Sequence, residues 1–181
     1  MVCMMVLQVV YAQHEIRCIK REREALFEFK AALVDHHGML SSWSTVDCCQ
    51  WKRIRCSNLT GHIVMLDLRG NGERYISGEI HISLMELPQL KYLTLSFNDF
   101  GGNHIPKFLG SLSNLRYLDL SYSDFGGNIP SQLGNLSNLL YLDLSHNPFE
   151  GIIPSHLGNL SHLQKLHLSY LEIDDGKNVR D

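Results

Sequence analysis

Leu90–Asn114 reads LKYLTLSFNDFGGNHIPKFLGSLSN, Leu115–Asn138 reads LRYLDLSYSDFGGNIPSQLGNLSN, and Leu139–His162 reads LLYLDLSHNPFEGIIPSHLGNLSH. The three blocks are copies of one pattern. Leu93, Leu118, Leu142 and Leu166 hold the same slot at spacings of 25, 24 and 24, and Leu66 holds it in an earlier copy, 27 residues ahead of Leu93. A fixed period in this range marks a solenoid, in which each repeat buries its apolar face only against its neighbours. A solenoid is mainly a surface, so the functional question is what binds it.

The 181 residues suffice for one short repeat array. A net charge of −3 without a basic run gives no footprint for nucleic acid. Hydrophobic residues make up 44% of the chain, but periodically, and beyond residue 12 no stretch approaches 18 apolar residues, so no membrane span is expected. Met1–Val10 is almost wholly apolar, and Val10-Tyr11-Ala12 is a small-residue cleavage pattern. Residues 1–12 therefore read as a signal-peptide remnant, although the positively charged leader is missing, and the chain reads as secreted. Cys3 would leave with that segment. Cys18, Cys48, Cys49 and Cys56 remain, all ahead of the blocks quoted above. A zinc site is disfavoured because Cys48 and Cys49 are adjacent and no C-x-x-C pair or finger-spaced histidine accompanies them, so disulfides are the better reading. No metal or other cofactor is expected. Asn58, Asn135 and Asn159 each open an N-x-S/T sequon and are candidate glycosylation sites.

Residues 13–60 form one unit. Arg21–Val34 reads as a helix, with Leu26, Phe29 and Leu33 at helical spacing and Glu22 and Glu24 in the first turns, where the helix dipole favours acids. Asp35–Gly38 ends it, and Leu40, Trp43 and Trp51 are suited to covering an open core end. Residues 61–173 hold about five repeats, and 174–181 are a polar tail. Each repeat opens with a short strand alternating apolar-in and polar-out. An asparagine slot follows at Asn71, Asn98 and Asn147, where the amide can satisfy backbone groups in a turn. Ser123 and Leu171 occupy that slot elsewhere. Phe100, Phe125 and Phe149 form an expected core row. Gly-x-Ile-Pro then leads into a short helical or 3₁₀ turn. The first repeat lacks the proline and carries an insertion over 69–76.

The frame L-x-x-L-x-L-x-x-N is the leucine-rich-repeat signature. The cadence Leu-x-Gly-x-Ile-Pro-x-x-Leu-Gly-x-Leu resembles the plant-specific class of such repeats. The front unit, with Glu24-Ala25-Leu26, Leu40-Ser41-Ser42-Trp43 and Asp47-Cys48-Cys49-Gln50-Trp51, resembles the N-terminal cap of plant receptor-like proteins. The likeness is strongest to the group that includes receptors for fungal ethylene-inducing xylanase. It implies an α/β solenoid: a right-handed leucine-rich-repeat horseshoe arc behind a disulfide-bonded helical cap, paired Cys18–Cys48 and Cys49–Cys56. It further implies an ectodomain on the extracellular side of the plasma membrane. Complete members carry more repeats and a membrane span, so the chain is expected to be the front part of a longer protein, joined to a membrane only through a segment absent here. Arg53 stands where the cap pattern has glycine, which puts the local turn in question.

The expected function is non-catalytic recognition of a peptide, glycan or microbial protein in defence or development, with a co-receptor kinase as a further partner. No nucleophile motif or phosphate loop accompanies the scattered histidines, so no enzyme is expected. A secreted inhibitor of a microbial wall-degrading enzyme, and a truncated product without function of its own, are the alternatives. Strand alternation places Tyr92, Tyr117, Tyr141 and Lys165 in one inner-face column. Asp67, Thr94, Asp119, Asp143 and His167 form a second, Arg69 and four serines a third, and Gly70, Phe97, Tyr122, His146 and Tyr170 a flanking fourth. Tyr-Leu-Asp-Leu-Ser is default text for such repeats, so the variable columns, the fourth and Lys91/Arg116/Leu140/Gln164, are the better candidates for specificity.

Overall fold

The computed structural model describes residues 18–169. The expected signal segment, Cys3, Tyr170, Leu171 and the polar tail lie outside the described residues.

Helix α1 (Lys20–Ala31) is followed by strand β1 (Leu33–Asp35). The helix stops short of the expected Val34 because Leu33–Asp35 extends to pair antiparallel with β4 (Ile76–Gly78), Leu33 opposite Gly78. Gly78 has φ 111°, and a Cβ there would meet the carbonyl oxygen of Ala32. Only glycine allows that approach. The insertion over 69–76 thus leads into the strand that ties the first repeat to the cap.

The inner sheet has six strands: β2 (Ile54–Cys56), β3 (Ile63–Asp67), β5 (Tyr92–Thr94), β6 (Tyr117–Asp119), β8 (Tyr141–Asp143) and β10 (Lys165–His167), side by side in chain order. The repeats account for five; the cap adds the sixth, β2, antiparallel to β3. The others run parallel in one register, with Leu66, Leu93, Leu118, Leu142 and Leu166 aligned. The first four of these leucines are fully buried, each worth about 1.5–3 kcal/mol of burial. On the side of the arc, β7 (Gly127–Asn128) and β9 (Phe149–Glu150) form a small parallel ladder. Phe100 and Phe125 stack inside at 4.5 Å, with Phe149 buried in the same row. The result is a right-handed α/β solenoid arc with a disulfide-bonded helical cap.

The asparagine slot is a buried hydrogen-bond post. Asn147 Nδ2 donates to the carbonyls of Leu120 (2.8 Å), Leu144 (3.0 Å) and Ser145 (3.1 Å), and its Oδ1 accepts from the N–H groups of Ser123 (3.1 Å) and Phe125 (3.0 Å). Two repeats earlier Asn98 Nδ2 donates to the carbonyls of Leu68, Leu95 and Ser96, and its Oδ1 accepts from Ile76 N–H. Ser123 covers only carbonyls, those of Leu95 and Ser121. Asn71 departs from the expectation: it is exposed and serves only its own turn, because the insertion carries the chain outward at that point. The 3₁₀ turns over 107–111, 131–135 and 155–159 each begin after a proline. In the first repeat the His81 ring replaces it, accepting from Ser83 N–H at 3.3 Å.

The cap closes on the disulfides Cys18–Cys48 and Cys49–Cys56. The sulfurs of Cys18, Cys48 and Cys49 lie within 4.8 Å of one another, but disulfide bonding leaves no thiolate to hold a metal. Trp43 and Trp51 stack at 5.4 Å over the core end, their indole N–H groups donating to Lys52 O and Thr45 Oγ1. Glu22 does more than complement the helix dipole. It is buried and joins the cap to the first repeat by accepting from Ile63 N–H (2.7 Å) while the His62 ring bonds its other oxygen. Arg53 keeps the turn that glycine would make. It adopts φ 72°, and its guanidinium donates to the carbonyls of Asp67 (3.3 Å) and Arg69 (2.8 Å).

Candidate functional site

Each strand is only three to five residues long and is flanked by tight turns, so its outward side chains stand in fixed columns. The register puts Tyr92, Tyr117, Tyr141 and Lys165 in one column, as their spacing implies, and extends it with Met65 and Arg55 from the cap side. Tyr92 stacks on Tyr117 at 4.2 Å and Tyr117 on Tyr141 at 4.3 Å, with planes within 10°. His167 continues the path, tilted, at 5.5 Å from Tyr141.

Beside this column run the acids. Asp119 Oδ1 accepts from Ser121 N–H (3.1 Å) and Oγ–H (2.7 Å), and its Oδ2 accepts from Thr94 Oγ–H (3.4 Å). Asp143 binds Ser145 the same way and accepts from Tyr141 O–H at 3.1 Å. Arg69 crosses the columns, with Nη2 3.4 Å from Tyr92 Oη and 3.8 Å from Asp119 Oδ2. Partial burial opposes the Arg69 charge, but Tyr92, Asp67 and Asp119 outweigh it and leave its pKa above the ordinary arginine value. Burial, and then the Asp119 charge, push the Tyr117 phenol far above its usual range; burial and Asp143 push Tyr141 up to about 12. Phenols shifted this way stay protonated donors. They move away from neutrality, the wrong direction for acid–base catalysis near pH 7. The face offers stacking surface, hydroxyl donors and carboxylates.

The rim carries a second ladder. Phe97, Tyr122 and His146 stack at 4.6 and 3.9 Å. All three have left-handed backbone, φ 57°, 52° and 55°, which strains a non-glycine residue by about 1–2 kcal/mol. Phe97 and Tyr122 remain 43% and 44% exposed, so these left-handed positions present their rings to solvent. Lys91 and Arg116 are exposed at the strand entrances. Gly70 stands in the rim column as its spacing implies, and one contributor was not evident from spacing: Tyr75, from the insertion, which lines a cavity with Phe97 and Tyr122. The sequon residues Asn58, Asn135 and Asn159 are all exposed.

Residues 19–57 match the leucine rich repeat N-terminal domain family and residues 57–179 match the leucine-rich repeat region family. The chain is 44% identical over 124 residues to the receptor-like protein EIX2 of Solanum lycopersicum, a match covering 64% of this chain and 12% of that protein. It is 42% identical over 109 residues to receptor-like protein EIX1 of the same plant, covering 52% and 11%. The chain therefore spans only a small part of the length of these relatives. Among solved structures, a plant ice-binding protein superposes with TM-score 0.79 at 30% identity, covering 87% of this chain and 50% of that one. The BIR2 ectodomain of Arabidopsis thaliana gives 0.76 at 28%, covering 84% and 81%. The Arabidopsis receptor kinase HAESA, in complex with the peptide hormone IDA and the co-receptor SERK1, gives 0.62 at 27%, covering 86% and 30%. With cap and repeats matched in sequence and superposed in space, the chain belongs to the leucine-rich-repeat family and is a relative of plant receptor-like proteins.

Proposed function

We propose that the chain is a non-catalytic extracellular recognition module, the N-terminal part of a plant receptor-like protein ectodomain, which binds a peptide or protein on its inner face in defence or development. The observation carrying this reading is the tyrosine column, three rings stacked outside the core on one rigid sheet. Aromatic side chains with a polar tip and few rotamers suit recognition at low entropic cost. The peptide and co-receptor in the HAESA complex make the same ligand class, and a co-receptor kinase, reasonable for this chain. Two disulfides and three exposed sequon asparagines support the extracellular side of the plasma membrane. In this reading residues 13–60 cap the array and 61–173 present the face.

The test compares the oxidised, glycosylated chain with its Tyr92→Ala/Tyr117→Ala variant, both immobilised and exposed to one peptide fraction from plant apoplastic fluid and one from fungal culture filtrate. Peptides retained by the first and lost from the second support inner-face recognition. Equal retention by both rejects it. A mass unchanged by glycosidase on secretion from plant cells would reject the compartment.

A further inference from the structure

The rim ladder stops at the first repeat, beside a cavity. Its members follow the repeat, His146 on Tyr122 on Phe97, and the next position toward the cap is Gly70. A Cβ at Gly70 would fall on the carbonyl oxygen of Phe97 and 2.9 Å from that of Arg74, so backbone fills that position and no ring of the ladder stands there. A cavity of about 310 Å³ opens at that end of the ladder, lined by Gly72, Tyr75, Phe97, Asn98, Asp99 and Tyr122. Tyr75, from the insertion, lines it, its ring 5.7 and 5.4 Å from the rings of His36 and His37. The slot is thus lined by three aromatic residues, Tyr75, Phe97 and Tyr122, together with the Asp99 carboxylate. Asp99 Oδ1 accepts from Gly101 N–H at 3.0 Å; its second oxygen has no hydrogen bond among the described residues. Asp124 holds the equivalent position one repeat on and is exposed, adding negative charge along the same rim.

We propose that this slot binds a guanidinium group: an arginine of a peptide or protein ligand lies against the rings of Phe97 and Tyr75 with its N–H groups on Asp99. The slot calls for a planar group because three aromatic side chains line it. It calls for a cation because its polar edge is a carboxylate with a free oxygen. Arginine alone among side chains is both flat and always charged, and it stacks on aromatic faces while donating sideways in a fork. Lysine has the charge without the plane. This inference rests on the reading of the chain as a recognition module and names a specificity element outside the tyrosine column.

The experiment is an NMR titration of the oxidised chain with N-acetyl-arginine amide, N-acetyl-lysine amide and the flat, neutral N-acetyl-citrulline amide, with cellohexaose as a glycan arm. The arginine probe should shift the ring resonances of Phe97 and Tyr75 and bind at least threefold more tightly than the lysine or citrulline probes. Phe97→Ala should weaken it at least fivefold and Asp99→Asn at least threefold. Both sites are exposed, and unchanged inner-face resonances serve as the folding check. Equal binding of the three probes, arginine binding untouched by either substitution, or preferential binding of cellohexaose at these rings would overturn the proposal. The two readings fail separately. Peptides lost on Tyr92→Ala/Tyr117→Ala but no arginine response at Phe97 would remove only the slot. Arginine binding without peptide retention by the inner face would remove only the tyrosine-column reading.

Discussion

Arg53 shows how one residue can hold a turn made for another. Its left-handed backbone is strained by about 1–2 kcal/mol, and its guanidinium offsets this by bonding the carbonyls of Asp67 and Arg69. We expect Arg53→Ala, which keeps the strain and loses the bonds, to unfold about 1 kcal/mol more easily than the native chain in urea. Arg53→Gly loses both and should be more stable than Arg53→Ala by about 1 kcal/mol. If alanine is tolerated as well as glycine, the account of this turn is wrong. The tyrosines make a second residue-scale statement. Tyr141 has its pKa raised to about 12 by burial and Asp143, so its phenol ionises later in the folded chain than in the unfolded one. Its contribution is complete below the unfolded value near pH 10 and is lost as pH rises toward 12. Tyrosinate absorbance at 295 nm should show a late component near pH 12 that Tyr141→Phe removes. A titration in which that substitution only removes amplitude near pH 10 would contradict the buried-phenol geometry.

Among the elements, the asparagine posts matter most to cohesion. Asn147 satisfies five backbone groups across two repeats, and a buried group left unpaired costs about 1–3 kcal/mol. Asn147→Ala should therefore destabilise by about 3 kcal/mol in equilibrium denaturation, and Asn147→Ser by about half that, since Ser123 shows that a hydroxyl can serve the carbonyls. Indistinguishable alanine and serine variants would show that the post does not act through these bonds. The repeat elements were legible in advance because a period of 24–25 residues fixes the register: once Leu93, Leu118 and Leu142 align, the columns, the phenylalanine row and the posts follow. What escaped reading depends on contacts between distant segments. Nothing at Leu33–Asp35 announces a strand partner at Ile76–Gly78, and Glu22 looks like a helix-dipole acid until Ile63 N–H is seen upon it. β2 joins the inner sheet only because its strand edge finds β3. The rim slot was half legible: Gly70, Phe97 and Tyr122 stood in a variable column, but the cavity beside them is completed by Tyr75, from an insertion whose path the period does not govern.

Among the described residues, the array is closed at the cap end and finishes on β10 at the other. On the cap side, β2, two disulfides and the stacked tryptophans cover the core. At the far side, all three residues of β10 are exposed, Leu166 at 44%, and among the described residues it pairs only with β8. An apolar side chain left in water forfeits about 1.5–3 kcal/mol, and a strand paired on one side opens readily. Hydrogen exchange on the oxidised chain should find Leu163–Leu168 far less protected than Leu93–Leu95 in the monomer; equal protection would mean that this edge is as well supported as the centre. The inner column has a further consequence for any ligand laid along it. Neighbouring strands stand about 4.8 Å apart, whereas a peptide in the polyproline-II conformation advances about 3.1 Å per residue and turns every third side chain to the same side, so the two rulers coincide once for every two strands and three residues. The column therefore works as a vernier. A peptide in contact with Tyr92 meets Tyr141 with the residue three places further on, and the two residues between fall over the gap that Tyr117 straddles. A sequence read by this face should show its preference at every third position.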